Sequence, residues 1–135
     1  MYDWPTMAAD GSMPYDDLQT QEEVEDIMGP EGGAVVLDFW SPTCGPCMAM
    51  AQDFSDVASQ FDRAEVRFCK VNTMAHPELA EPFNIRSVPT IVFVHDGKIL
   101  DGVVGRMSAK DLGEKSEWLL GRAQRKPGLL SRIFS

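Results

Sequence analysis

Up to residue 62 the chain has not one lysine or arginine, although it places 13 aspartates and glutamates there; Arg63 is the first basic residue. A protein that grips nucleic acid by its phosphates needs a broad basic face, and the body of this chain lacks one. Nucleic acid is therefore not an expected partner. No apolar run approaches the roughly 20 residues of a spanning helix, so no integral membrane segment is expected. The start, Met1-Tyr2-Asp3-Trp4-Pro5, has neither the positive n-region nor the apolar h-region of a secretory signal. Only three cysteines occur in 135 residues, too few for a disulfide-dense scaffold. In an unexported chain, cysteines do redox or metal chemistry more often than they hold a fold together, and the expected compartment is the reducing cytoplasm.

What is present is ordinary for a globular domain: 44% hydrophobic, 24% charged and 9% aromatic residues. The length suits one domain, expected to be a monomer. The net charge of −9 is graded along the chain, because residues 121–135 hold Arg122, Arg125, Lys126 and Arg132 and no acid. Residues 1–17 read as a flexible N-terminal extension, 18–121 as the domain and 122–135 as a basic tail. In that tail Leu129, Leu130, Ile133 and Phe134 can form a basic amphipathic turn toward a partner or membrane surface. It is too short to bind strongly alone, and folding back on the acidic body, or disorder, is the expectation.

Thr20 with Glu23 makes a capping box, and Val24, Ile27 and Met28 then share one helical face up to Gly29-Pro30. Ala34 to Trp40 reads as a buried strand, bounded by Gly32-Gly33 and Ser41-Pro42. A helix follows from Cys47 to about Phe61, with Met50, Phe54, Val57 and Ala58 on its apolar face. Val66 to Asn72 is a second strand, and Pro77 opens a short helix through Phe83. Thr90 to His95 and Lys98 to Val104 form a hairpin at Asp96-Gly97, and Ser108 caps a last helix. This order predicts an α/β fold with one central mixed sheet and helices on both faces.

Cys44-Gly45-Pro46-Cys47 follows a predicted strand and opens a predicted helix. The first cysteine then sits where free backbone N–H groups and the positive end of the helix dipole stabilise a thiolate. Two intervening residues bring the second sulfur within disulfide reach, so Cys44 can attack a disulfide and Cys47 can resolve the product. Half of a zinc site is the competing reading. Its other ligands would have to be Cys69, His76 and His95, none of them paired at ligand spacing, so neither metal nor cofactor is expected. Asp38 lies within an apolar run, where an unpaired carboxylate is costly and its pKa should rise. Cys69, on a predicted central strand, reads as a buried inert thiol.

Asp38-Phe39-Trp40, Cys44-Gly45-Pro46-Cys47, Val88-Pro89-Thr90 and Val104-Gly105 resemble the thioredoxin family in order and spacing, over about residues 18 to 121. The resemblance implies a thioredoxin-like fold and a protein-disulfide reductase. It also implies that Asp38 lies beneath Cys47 and relays its proton through water, and that Lys70 is the lysine close to that acid. Pro89 matches the family's cis-proline facing the cysteines, which leaves the Val88 backbone free for strand-like pairing with a substrate segment. Trp40, Gly45, Pro46, Val88 and Gly105 resemble the docking surface around the sulfur. The implied partners are an upstream thioredoxin reductase and disulfide-containing proteins.

Three positions depart from the family pattern. Thr43 replaces the usual tryptophan before the first cysteine, Met48 the usual lysine after the second, and Gln52 a kinking proline. These changes alter the rim of the substrate-binding surface rather than the dithiol. A second reading is a thioredoxin-fold binding or assembly-chaperone module, whose members often lose a cysteine; both are kept here. A third, an exported oxidase or isomerase, is disfavoured by the absent signal and by Gly-Pro between the cysteines.

Overall fold

The computed structural model describes residues 12–124. The expectations for the leader and for most of the basic tail concern residues 1–11 and 125–135, outside that range. The elements are β1 (Asp16–Asp17), α1 (Gln21–Ile27), β2 (Ala34–Trp40), α2 (Gly45–Ala58), β3 (Val66–Asn72), α3 (Pro77–Ala80), β4 (Thr90–His95), β5 (Lys98–Val104) and α4 (Ala109–Gln124). A single 3₁₀ turn, Glu81–Phe83, follows α3. The strands form one mixed sheet in the order β1-β3-β2-β4-β5. β1 and β2 run parallel to β3, while β4 is antiparallel to both β2 and β5.

Alternation along the strands divides the core into two layers. Ala34 and Val36 of β2, Val66 and Phe68 of β3, and Ile91 and Phe93 of β4 pack under α2 and α4. Val35, Leu37 and Phe39, with Cys69, Val71, Val92 and Val94, pack on the opposite face beneath α1 and α3. β2 lies between β3 and β4 and is covered on both faces, which is why it reads as a continuous apolar run. The capping box forms as the spacing predicts: Glu23 N–H donates to Thr20 Oγ1, and the Glu23 carboxylate accepts from Thr20 N–H.

Two differences from the sequence reading bear on the domain limits. β1 falls within the stretch read as a loose leader, and it pairs Asp16 with Cys69 and Asp17 with Lys70. Two acidic residues carry no apolar alternation, so nothing in their composition signals a strand. At the other end α4 runs to Gln124, with Leu120 and Ala123 packed against the core. Helix α2 begins two residues earlier than the periodicity indicates, because Gly45 and Pro46 occupy its first turn.

Candidate active site

The switch from β2 into α2 is made in a few residues. Cys44 N–H donates to the Ser41 carbonyl at 3.1 Å, and Thr43 N–H donates to Ser41 Oγ at 3.2 Å. Thr73 grips the end of β2 from the other side, its N–H and its hydroxyl both donating to the Trp40 carbonyl. Ser41 is buried and holds the turn. Its role is not readable from sequence, since a serine before a proline is equally at home in any loop.

Cys44 is the N-cap of α2, in extended conformation, and its Sγ accepts the Cys47 N–H at 3.2 Å. A donor from the first turn of a helix favours negative charge on that sulfur. Pro46 lies in the first turn, where its missing N–H costs nothing. The Cα atoms of Cys44 and Cys47 are 5.3 Å apart, and the two sulfurs are joined in a disulfide. Their exposure differs. Cys44 is partly exposed, whereas Cys47 is only 3% exposed. Cys44 is the more accessible of the two sulfurs.

The Val88–Pro89 peptide bond is cis, and the Val88 carbonyl oxygen lies 3.5 Å from Cys44 Sγ. Gly105 joins this edge, donating its N–H to the Pro89 carbonyl at 2.8 Å from a backbone with φ of +104°. Gly45 and Thr43 are exposed beside the sulfur. Val88 also lines an open groove of about 600 Å³ that continues along Thr73, Pro77, Glu81 and Ile85. The structure thus gathers Thr43, Cys44, Gly45, Pro46, Cys47, Val88, Pro89 and Gly105 at one end of the sheet.

Asp38, Trp40 and Lys70 lie deeper. Asp38 sits between Lys70 of β3 and Ile91 of β4 in register, on the face covered by α2. It is 1% exposed, its Oδ1 has no hydrogen-bond partner, and burial pushes its pKa up to about 6 against the pull of Lys70. Lys70 is 4% exposed, which excludes a solvated strand-end lysine. Its Nζ lies over the Trp40, Tyr15 and Phe54 rings at 4.7, 5.1 and 5.7 Å, and burial lowers its pKa. Tyr15 and Phe54 are contributions that sequence reasoning missed.

Cys69 belongs to the other layer. It faces α1 and α3, is fully buried, and its thiol is pushed up to about 12 by burial. It lies in the middle of β3, in the layer opposite the one packed under α2, the helix that carries Cys47. Among the described residues no group of three or more potential ligands is arranged to hold a metal ion.

The family model for thioredoxin matches residues 17–117. The chain belongs to the thioredoxin family. It is 34% identical to thioredoxin of Synechocystis over 101 residues, covering 75% of this chain and 90% of that one. It is 36% identical to thioredoxin 1 of Nostoc over 83 residues, 62% of this chain and 77% of its relative. Among solved structures, Malassezia sympodialis thioredoxin superposes with a TM-score of 0.67 at 24% identity, covering 91% of this chain and 96% of that one. This thioredoxin-family chain, with its Cys44–Cys47 pair, is a protein thiol–disulfide oxidoreductase. The binding-module alternative is not favoured, because the pair that such a module can dispense with is intact. Among the described residues no helix is long and apolar enough to cross a membrane.

Proposed function

We propose that the chain reduces protein disulfides, with Cys44 as nucleophile and Cys47 as resolving thiol. The difference in exposure between the two sulfurs carries this reading. The Cys44 thiolate attacks one sulfur of the substrate disulfide, whose S–S bond breaks as the mixed disulfide forms. Cys47 then loses its proton and attacks Cys44 Sγ. The substrate leaves as a dithiol, two electrons richer, and the Cys44–Cys47 disulfide remains.

Asp38 is the proton acceptor for Cys47, and its raised pKa suits it to exchange a proton near neutral pH. Lys70 acts through Asp38. The exposed edge formed by Thr43, Gly45, Pro46, Val88, Pro89 and Gly105 receives the substrate segment, with Trp40 supporting it from below. Thr43 offers a smaller apolar contact than an aromatic ring at this place and narrows the range of partners. An upstream thioredoxin reductase returns the pair to the dithiol. A monomer in the reducing cytoplasm fits both this direction of electron flow and the free thiol at Cys69.

Trapping tests the assignment. Cys47→Ser should accumulate mixed disulfides with protein partners in a lysate, released by dithiothreitol and mapped to Cys44. Adducts mapped to Cys69, or none above the Cys44→Ser background, would overturn it.

A further inference from the structure

Lys70 has a carboxylate on each side. The register places Asp38 of β2 beside it on one flank and Asp17 of β1 beside it on the other. Residues opposite one another on neighbouring strands share a face of the sheet, so the three form a row across β1, β3 and β2. The row is graded in exposure: Asp17 is exposed, whereas Lys70 and Asp38 are buried. A cleft of about 200 Å³ reaches Asp17, Trp40 and Lys70 from the surface, and Asp38 lies beyond its lining. Both acids act electrostatically on the ammonium.

We propose that Asp17 is a positioning residue for this site, an outer carboxylate on the far side of Lys70 whose negative charge opposes the pull of that ammonium on the buried acid. The inference rests on Asp38 being the proton acceptor for Cys47. An ammonium serving Asp38 alone would keep that carboxyl ionised to lower pH, as a weaker base. The negative charge of Asp17 adds repulsion across the row, which disfavours a second carboxylate there and leaves Asp38 more basic. The Lys70 head lies over the rings of Tyr15, Trp40 and Phe54, which fix it within the row that carries both acids.

Few other charged groups face this row. Asp16, next to Asp17, is held by Arg63 and Arg67. His76 lines the same cleft and pairs with Glu78 at 3.4 Å. β4 presents Ile91 to Asp38, and α2 presents Phe54 to Lys70. Cys47 is the buried titratable group of α2 in the reduced protein, Asp53 of the same helix being half-buried and Asp56 exposed.

The test reads Asp38 directly, by carbon NMR of its side-chain carboxyl in full-length protein, both reduced and oxidised. In Asp17→Asn the Asp38 titration should move down by about one pH unit at low salt, the size expected for a unit charge roughly 10 Å away near a protein surface. The acidic limb of the pH–rate profile for mixed-disulfide release should move with it. Asp17→Glu should restore both, and added salt should shrink the difference because Asp17 is exposed. An unchanged or raised Asp38 titration in Asp17→Asn overturns the proposal, even if the melting temperature falls, since that outcome would give Asp17 a structural role only. The carboxyl titration is independent of turnover. A failure of the Cys47→Ser trapping experiment would therefore be distinguishable from a failure here.

Discussion

Asp38 is a single buried side chain through which the proposed proton transfer would be tied to the stability of the fold. Its burial is readable from sequence, because its neighbours Val36, Leu37 and Phe39 leave no polar face for a carboxylate to occupy. Its consequence for stability follows by linkage. With the pKa raised from 3.8 to about 6, the folded chain keeps a proton over that range that the unfolded chain has released. The unfolded state then binds fewer protons, so this group's contribution to stability falls as pH rises from the lower value to the upper, and the penalty is complete above it. Asp38→Asn removes the penalty. At neutral pH it should stabilise the fold by up to about 3 kcal/mol in denaturant melts, with the gain vanishing in acid below the unfolded pKa. The same variant should release mixed disulfides more slowly and lose any inflection of rate near pH 6 that belongs to Asp38. A stabilised protein with an unaltered rate profile would remove Asp38 from the proton path. Lys70 is less readable than Asp38. In sequence it fits a solvated strand end as well as a buried site, and only the register with Asp38 and Asp17 decides between them.

Elements are legible where local chemistry and packing agree. β2 is recognisable because both of its faces are covered, and the Asp96-Gly97 turn because its two residues take the φ values of +49° and +80° that asparagine, aspartate and glycine tolerate. β1 is not, because its pairing with β3 is a property of the sheet and two acidic residues leave no periodic trace. The hairpin turn also does more than reverse the chain. Gly33 N–H donates to Asp96 Oδ1 at 2.9 Å, and Asp96 N–H returns a bond to the Gly33 carbonyl, tying the turn to the entrance of β2. Gly97 abuts the end of α1 so closely that an added Cβ would stand 2.3 Å from the Met28 carbonyl oxygen. Gly97→Ala therefore meets both a disfavoured backbone conformation and a backbone clash. It should cost at least about 2 kcal/mol, read as a lower urea midpoint with an unchanged slope. Reduction of a small disulfide by the folded fraction should persist, because the turn lies at the end of the sheet opposite Cys44. An unchanged midpoint would mean that α1 yields at its last turn at no cost.

For the molecule as a whole, the C-terminal limit of the domain decides what the basic tail is free to do. The family signatures thin out near residue 121, yet α4 continues to Gln124. Ala123 packs on the core, the Arg122 guanidinium stands 5.5 Å from the Trp118 ring, and Gln124 Nε2 donates to Glu65 Oε2 at 3.3 Å. These interactions are individually small, but they close the last turn of a helix whose Leu112 and Leu119 are fully buried. Two truncations separate helix from tail. Ending the chain after Gln124 removes Arg125, Lys126 and Arg132 while sparing α4; thermal midpoint and reduction of a small uncharged disulfide should both be retained. Ending it after Gly121 removes the last turn as well and should lower stability by about 1 kcal/mol, roughly what burying one small apolar side chain such as Ala123 is worth. If residues 125–135 dock a partner by charge, the effect of removing them should appear only with that partner and should fade as salt rises. A fall in midpoint after the Gln124 truncation as large as that after Gly121 would place the basic tail inside the folded unit, closing over the acidic body.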